Sequence, residues 1–241
     1  MPDKTVISVS SIALRAIIYV NVFMFFISMI FSKEHLNFSL NPLLFLTPSP
    51  FALEFLGATG KSIISKNGTW WTIITANWLH GGLLHIVFNM LALRTLIPLV
   101  VKEYGVFRMF VLYTLTGMSG FLLSYVGNVS LTIGASSGIC GLIGAAMYFG
   151  RSSRGQWGRL VYKETLGWVI SLALFGFLIP NINNWSHAGG LISGILFGWI
   201  FGYHQKRKEN YFDKIFAVFL MGLTVWLLFK HVAEGFLIID F

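Results

Sequence analysis

Seven long apolar stretches, joined mostly by short polar connections, dominate the sequence. Each is close to the length, about 20 residues, that a helix needs to cross the hydrocarbon core of a membrane. They lie at 11–32, 73–93, 107–127, 133–150, 164–180, 185–203 and 213–230. The pattern predicts an all-α polytopic membrane protein, a helical bundle with seven transmembrane helices of which the fourth and fifth are short.

The connection at 33–72 is the one long loop that the pattern predicts. It carries Pro42, Pro48 and Pro50, and its apolar runs NPLLFL and FALEFLG are too short to cross a membrane. They suit a re-entrant or interfacial segment. The stretch at 11–32 is too long for a signal peptide and lacks a small-residue cleavage site, so we interpret it as a helix.

Composition supports a membrane protein and excludes several other classes. Hydrophobic residues make up 56% of the 241 residues, charged residues make up 11%, and the mean hydropathy is +0.74, which is too apolar for an ordinary soluble domain. The net charge of +8 is explained by basic cytoplasmic loops, so we expect no nucleic-acid partner. Cys140 is the only cysteine, which excludes an internal disulfide and a cysteine-based zinc site. We expect no metal and no cofactor.

The basic residues predict an orientation. With a cytoplasmic N-terminus, twelve Lys and Arg residues fall on the inner side and four on the outer side, an asymmetry typical of membrane proteins. The inner set is Lys4, Arg94, Lys102, Arg108, Arg151, Arg154, Arg159, Lys163, Lys206, Arg207, Lys208 and Lys214, and the outer set is Lys33, Lys61, Lys66 and Lys230. We predict a short cytoplasmic N-terminus (1–10), a six-helix core with the long extracytoplasmic loop (11–205), and a basic linker with an appended seventh helix (206–241).

Polar residues are concentrated at one depth of this predicted bundle. The second, fourth and sixth stretches enter the membrane from the outer side, with the sequences WLHGGLLHIVFNML, GASSG and WSHAGGLISG. Their first turns therefore share a depth, and they carry His80, His85, Asn89, Ser136, Ser137 and His187. Polar side chains inside a membrane usually face the bundle interior and mark function.

Helical spacing predicts which of these residues face each other. His85 and Asn89 are four apart and share a helix face, whereas His80 points about 140° away from His85 at about 100° per residue. Small residues on the fourth and sixth helices allow close backbone approach. They form two strips, Gly138, Gly141 and Gly144 on one helix, and Gly190 and Gly194 beside His187 on the other. We expect these helices to pack tightly and to bring Ser136 within hydrogen-bonding reach of His187.

A serine and a histidine at this distance predict nucleophilic catalysis. A neutral imidazole takes the proton from a serine hydroxyl near pH 7. All nine acidic residues fall on the inner side, in the long loop or near the C-terminus, so the usual orienting carboxylate is missing and the sequence predicts a Ser136–His187 dyad. His85, Asn89 and backbone N–H groups at the start of the fourth helix can supply an oxyanion site.

Each residue also has a structural interpretation. A lone serine in a membrane helix commonly bonds back to its own backbone. His85 and Asn89 are typical of an interhelical hydrogen-bonded pair when they occur in isolation. His80 and Ser137 resemble structural hydrogen bonders, and Cys140 resembles small-residue packing. The convergence of several polar residues favours the catalytic interpretation.

Two other classes of membrane protein account for less of the pattern. A haem or metal site on His80, His85 and His187 leaves Ser136 without a role, and two of these histidines are predicted to face different ways. A transporter requires ionisable groups along an ion path, and we predict no carboxylate within a membrane-spanning helix.

The motifs together resemble the rhomboid family of intramembrane serine proteases. HGGLLHIVFNM is similar to the family's His-x4-His-x3-Asn pattern, GASSGICGLIGA to its Gly-x-Ser helix start, and NNWSHAGGLISG to its sixth-helix histidine motif. The resemblance covers about 70–205. It implies the six-helix rhomboid fold with the seventh helix as an addition.

The resemblance also implies a role for each residue. Ser136 is the expected nucleophile and His187 the expected general base. His85, Asn89 and the Ser136 backbone N–H are the expected oxyanion site. His80 and four glycines are expected to support this region, and the glycines are Gly134, Gly138, Gly141 and Gly190.

The implied activity is cleavage of transmembrane segments of other membrane proteins near their outer ends. Substrates are expected to enter laterally, past the fifth helix or the adjoining face of the second. Three residues depart from the family pattern: Ser137 replaces a common glycine, Thr72 stands where many members have arginine, and Cys140 stands where some have an aromatic residue. The alternative is an inactive relative that binds transmembrane segments without cutting them, although such relatives typically lose the serine or the histidine.

The expected partners are the lipid bilayer and membrane-protein substrates, whereas the oligomeric state is not predicted. The sequence has no evident cleavable signal and no Arg-rich transit peptide. We therefore expect a bacterial cytoplasmic membrane, with the active site towards its outer side.

Overall fold

The computed structural model describes residues 4–32, 37–180 and 182–238. Its α-helices are α1 (Lys4–Ser32), α2 (Pro50–Phe55), α3 (Lys61–Asn67), α4 (Thr72–Thr75), α5 (Leu83–Tyr104), α6 (Val106–Val126), α7 (Ser136–Ser152), α8 (Gln156–Leu178), α9 (Asn184–Phe201) and α10 (Tyr211–Ile238). A short antiparallel hairpin, β1 (Asn37–Phe38) and β2 (Phe45–Thr47), and 3-10 turns at Pro42–Leu44 and Ala76–Trp78 lie in the long loop and its continuation. The first residues of the predicted N-terminal segment, and Lys33, lie outside the described residues.

All seven predicted transmembrane stretches are helical, as the apolar pattern predicts. They correspond to α1 and to the six consecutive helices α5 to α10. Within the described parts of the chain, α1, α5, α6, α8 and α10 are long and apolar enough to cross a membrane. The other two, α7 and α9, have 17 and 18 residues and are rich in glycine and serine. The fifth predicted helix is longer than expected, because α8 extends over 23 residues.

The start of the second predicted helix is wrong. The sequence predicts a helix over 73–93, whereas the structure has α4, a 3-10 turn and an irregular segment before α5 begins at Leu83. Gly82 has a φ of +153°, which side chains rarely adopt, so the backbone leaves the helical path there. His80 lies in the irregular segment. Its predicted 140° offset from His85 along one helix is therefore wrong as well.

The centre of the bundle is a close contact between α7 and α9. A methyl group at Gly194 of α9 would overlap the carbonyl oxygen of Gly141, and one at Gly190 would overlap the carbonyl oxygen of Ser137. No side chain larger than hydrogen fits at either position without separating the helices. The predicted tight packing of the fourth and sixth helices is confirmed.

The glycine strip of α7 contacts two neighbouring helices. A methyl group at Gly138 would lie 2.7 Å from the carbonyl oxygen of Tyr113, and one at Gly141 would overlap the Thr116 hydroxyl. Both neighbours belong to α6. The strip therefore seats α7 between α6 and α9, which the spacing of glycines alone does not predict.

The seventh transmembrane helix, α10, is anchored to the core at its start. Arg108 of α6 is 1% exposed, and its Nη2 lies 2.7 Å from Oδ2 of Asp213 in α10. The same guanidinium donates to the backbone carbonyls of Gly202, Arg207 and Lys208 over 2.6–3.1 Å. One buried arginine thus fixes both the basic linker and the first turn of α10.

The other end of α10 supports the long loop. His231 Nδ1 lies 3.0 Å from the carbonyl oxygen of Phe55 at the end of α2. The Lys230 ammonium lies 5.0 Å from the centre of the Trp71 ring, in the approach to α4. The seventh helix is therefore integrated into the bundle at both ends, more closely than an appended helix.

Asp213→Asn tests the anchor of α10. Without the carboxylate charge, the buried Arg108 guanidinium loses its ion-pair partner, and we expect the free energy of unfolding to fall by about 3 kcal/mol. Denaturation in detergent micelles at neutral pH measures this change. Glu234→Gln removes one partner of the exposed Lys230–Glu234 pair, 3.8 Å apart on the same helix, and should cost less than about 0.5 kcal/mol. Equal effects of the two variants would contradict the anchoring role.

Candidate active site

Ser136 is the first residue of α7, and contacts with the long loop fix the backbone in front of it. Thr59 and Thr132 exchange backbone hydrogen bonds of 3.1 and 2.7 Å in an antiparallel bridge, and the Gly134 N–H donates to the Ala76 carbonyl at 2.9 Å. Gly134 has a φ of +122°, a conformation that favours glycine. The serine is thus held at the point where an extended segment turns into a helix.

The structure brings Ser136 and His187 together. Ser136 Oγ lies 3.0 Å from His187 Nε2, across 51 residues of sequence, and this predicted proximity is confirmed. His187 lies in the first turn of α9, and both side chains are half-buried. His187 Nδ1 has no hydrogen-bond partner among the described residues, so no carboxylate of the described chain orients the ring.

Asn183 holds the start of α9, a role that the motifs do not predict. Its Oδ1 accepts from the Ser186 N–H at 3.1 Å and caps the helix. Its Nδ2 donates to the hydroxyls of Ser124 and Thr132, each at 2.8 Å. The first turn of α9 is therefore tied to α6 and to the segment before α7. An asparagine directly before a predicted helix is a common N-cap, so the sequence did contain a signal for this role.

His85 and Asn89 converge on the same place. The Gly81 N–H donates to His85 Nδ1 at 3.3 Å, so in the neutral ring Nε2 carries the proton. That Nε2 lies directly over Gly134, since a methyl group there would be 2.8 Å from it and 3.6 Å from Ser136 Oγ. Asn89 is 6% exposed, and its Nδ2 has no partner among the described residues. Two N–H donors, for which no acceptor is found in the described chain, thus line the same cavity as the serine.

His80 packs behind this group without entering it. It is fully buried, and its ring lies edge-on to that of His85 with 5.1 Å between their centres. Neither of its ring nitrogens has a hydrogen-bond partner in the described part of the chain. Its contact with His85 is therefore made by packing.

Ser137 points away from the histidine. Its Oγ lies 3.1 Å from the Gly117 carbonyl of α6 and 3.3 Å from the Ser186 carbonyl of α9, and the residue is fully buried. The sequence predicts that Ser137 forms a hydrogen bond at the start of its own helix. In the structure its hydroxyl instead links α7 to two other helices. The side chains of the two adjacent serines therefore point in different directions.

The other two departures from the rhomboid pattern are also buried. Thr72 donates its hydroxyl to the Thr69 carbonyl at 2.7 Å and lies 2.9 Å from the Thr59 hydroxyl, so it braces the long loop from within. Cys140 is 2% exposed and lies beside Gly190 of α9, where a methyl group would be 3.2 Å from its Cβ. The thiol fills space between the helices, as expected from its size.

A cavity of about 1640 Å³ opens from the serine between α5 and α8. α8 packs mainly on α7 and leaves α5 across the gap. Ser136, His187, His85 and Asn89 line the near end. Apolar side chains form the walls, among them Phe88, Ile139, Trp168, Leu172 and Phe175.

Two charged residues line the far end of the cavity. They are Arg94 of α5 and Glu164 of α8, and both lie within helices apolar enough to span a membrane. α8 begins at Gln156, eight residues before Glu164, whereas the apolar stretch that predicts the fifth transmembrane helix begins at Glu164 itself.

A comparison with protein-family models identifies the family of this chain. A Rhomboid domain model matches residues 67–204, more than half of the chain, including Ser136, His187, His85 and Asn89. The chain belongs to the rhomboid family. The resemblance and the polytopic helical fold are thereby confirmed, and the protein is a multi-pass membrane protein.

Similar rhomboid proteins occur in plants and bacteria. RHOMBOID-like protein 1 of Arabidopsis thaliana is 32% identical in an alignment of 180 residues. The alignment covers 70% of this chain and 45% of that protein. Rhomboid protease GluP of Bacillus subtilis (strain 168) is 34% identical over 179 residues, 73% of this chain and 34% of GluP. RHOMBOID-like protein 5 of A. thaliana is 28% identical in an alignment of 233 residues, which covers 81% of this chain and 73% of the relative. This rhomboid chain thus spans less than half of the first two.

The two adjacent serines should differ in their effect on stability. Ser137→Ala removes a hydroxyl that links three helices, and we expect it to lower the free energy of unfolding by about 0.5–1.5 kcal/mol. Ser136→Ala removes a half-buried hydroxyl whose partner is a single histidine, and we expect a change near zero. Unfolding of both variants in mixed detergent micelles checks this. A larger loss for Ser136→Ala would contradict the separation of the two side chains.

Proposed function

We propose that this rhomboid is an intramembrane serine endopeptidase that hydrolyses peptide bonds in or near transmembrane segments of other membrane proteins. The observation that carries the proposal is the 3.0 Å contact between Ser136 Oγ and His187 Nε2. It lies at the end of a cavity that opens sideways between two spanning helices. A name among the relatives, that of GluP, includes the word protease.

The proposed reaction starts with general base catalysis. His187 Nε2 takes the proton from Ser136 as Oγ attacks the carbonyl carbon of the scissile bond. The protonated ring then gives that proton to the leaving amine, and an acyl-serine remains. A water molecule, deprotonated by the same nitrogen, hydrolyses the ester and restores the hydroxyl. In place of an orienting carboxylate, the cap by Asn183 and the glycine contacts with α7 fix the first turn of α9, from which the His187 side chain extends.

The oxyanion of the tetrahedral intermediate needs donors that are already in position. We assign this role to His85 Nε2, Asn89 Nδ2 and the backbone N–H of Ser136. The first carries a proton because Nδ1 of the same ring accepts from Gly81. The second lacks a partner among the described residues. The third lies at a helix N-terminus, where the helix dipole favours negative charge.

The proposal extends to location. The asymmetry of Lys and Arg supports a cytoplasmic N-terminus, and a relative occurs in Bacillus subtilis. We propose a bacterial cytoplasmic membrane with Ser136 nearer its outer side. Membrane-protein substrates then approach within the lipid phase, along the gap between α5 and α8.

Cleavage in proteoliposomes tests the dyad. With a single-span model substrate and no added metal or nucleotide, we expect Ser136→Ala and His187→Ala to lower the cleavage rate by at least about 10³-fold, because each removes a reacting group. Ser137→Ala and His204→Ala are the matched controls and should keep cleavage within a few-fold of wild type. Loss of activity in Ser137→Ala alone would make the neighbouring serine the nucleophile. If wild type binds several substrates and cuts none, the protein is a binding relative.

The oxyanion assignment makes a separate prediction. Asn89→Ala should lower kcat by about 10²-fold or more with little change in KM, because its donor acts on charge that develops in the transition state. Initial rates over a range of substrate densities in the membrane separate the two constants. Asn184→Ala is a control, since its side chain instead donates to the Gly176 carbonyl of α8 at 2.9 Å. A rise in KM with unchanged kcat for Asn89→Ala would assign Asn89 to substrate binding.

A further inference from the structure

Asn183 forms four hydrogen bonds at the point where α9 begins. Its backbone carbonyl accepts from the His187 N–H at 3.2 Å, and its Oδ1 accepts from the Ser186 N–H at 3.1 Å. Its Nδ2 donates to Thr132 Oγ1 and to Ser124 Oγ, each at 2.8 Å, so both protons of the amide are used. One half-buried residue thus joins the turn that carries His187 to two other parts of the bundle.

The bond to Thr132 leads towards the serine, and we call it the amide bridge. Thr132 is 5% exposed and lies four residues before Ser136. Its backbone N–H and carbonyl are both bonded to Thr59, so the position of this segment is fixed. The cap through Oδ1 of Asn183 orders only the first turn of α9. The amide bridge instead joins that turn to the segment that ends at the serine.

The bond to Ser124 leads elsewhere. Ser124 is fully buried in α6, and its hydroxyl donates to the Gly120 carbonyl of the same helix at 3.0 Å. α6 carries neither Ser136 nor His187. The two bonds share a donor nitrogen and a length, and they differ in whether they reach the serine.

We propose that Asn183 is a positioning residue that aligns Ser136 Oγ with His187 Nε2 through the amide bridge. The inference rests on the proposed endopeptidase activity. Proton transfer needs a separation of about 2.6–3.2 Å between the two heavy atoms, and a misplacement of about 1 Å can cost about 10²-fold in rate. The glycine contacts set the separation of α7 and α9. The amide bridge adds a restraint between the segments that precede these two helices.

Two matched variants test the amide bridge, because Asn183→Ala would also remove the helix cap. Thr132→Val should lower kcat by about tenfold or more with KM within about twofold of wild type, since the alignment matters in the transition state. Ser124→Ala removes the bond to α6 and should keep kcat within about threefold. Thr132→Ser keeps an acceptor hydroxyl and should restore most of the rate. Initial rates over a range of substrate densities in proteoliposomes give both constants.

Nitrogen-15 NMR of labelled histidine in detergent micelles measures the alignment without cleavage. Ser136→Ala shifts the His187 Nε2 resonance, because that nitrogen loses its hydrogen-bond partner. Thr132→Val should reproduce at least about half of this shift, since the two groups then move apart. Ser124→Ala should leave the resonance at its wild-type position.

Three results would overturn the inference. The first is an equal loss of kcat in Thr132→Val and Ser124→Ala, which would make Asn183 a purely structural residue. The second is a rise in KM with unchanged kcat for Thr132→Val, which would assign this cavity-lining residue to substrate binding. The third is a His187 Nε2 resonance that Thr132→Val leaves unchanged. If wild type cleaves no substrate, the NMR comparison still decides the inference, and the proposed activity alone has failed.

Discussion

The approach of two helix backbones is the constraint on which the rest of this structure depends. Ser136 and His187 are 51 residues apart and meet at 3.0 Å, and no covalent link holds them. They meet because glycines of α9 let its backbone touch that of α7. Lipid tails are as apolar as leucine, so burial of apolar side chains does little to drive helices together in a membrane. Close packing and hydrogen bonds supply the association, and glycine makes both possible here.

Hydrogen bonding divides the buried polar groups of this structure into two kinds. Ser137, Asn183 and Thr72 are partly or fully buried, and each finds partners in other parts of the chain. His187 Nδ1 and Asn89 Nδ2 are buried without partners among the described residues. A polar group left unpaired in a low-dielectric interior raises the energy of the folded state. His187 and Asn89 line the cavity, so in the proposed mechanism their free atoms can bond to water or substrate, whereas His80, which is equally unpaired among the described residues, lies outside the cavity lining.

The sequence predicts the fold and the site unequally. The apolar pattern locates all seven helices, and five of them are long and apolar enough to cross a membrane in the described parts of the chain, since such runs have few other solutions. It misplaces the start of α5, because the backbone changes conformation at Gly82 within an apolar run, and hydropathy does not detect that change. Helical spacing also cannot tell that Gly138 faces α6, or that His231 reaches back to Phe55, since both depend on tertiary packing. The Ser136–His187 contact was predictable because two motifs were placed at one depth.

Two arginines show that a count of basic residues does not predict the structural role of each one. Both Arg94 and Arg108 fall in the inner set of basic residues, and that count treats them as equivalent loop charges. In the structure Arg108 is buried and neutralised by Asp213, so its charge serves to attach the seventh helix. Arg94 lines the cavity and is exposed, and it has no ion-pair partner among the described residues. The same residue type is thus a buried structural link in α6 and an exposed side chain in α5, and a count of basic residues cannot tell the two apart.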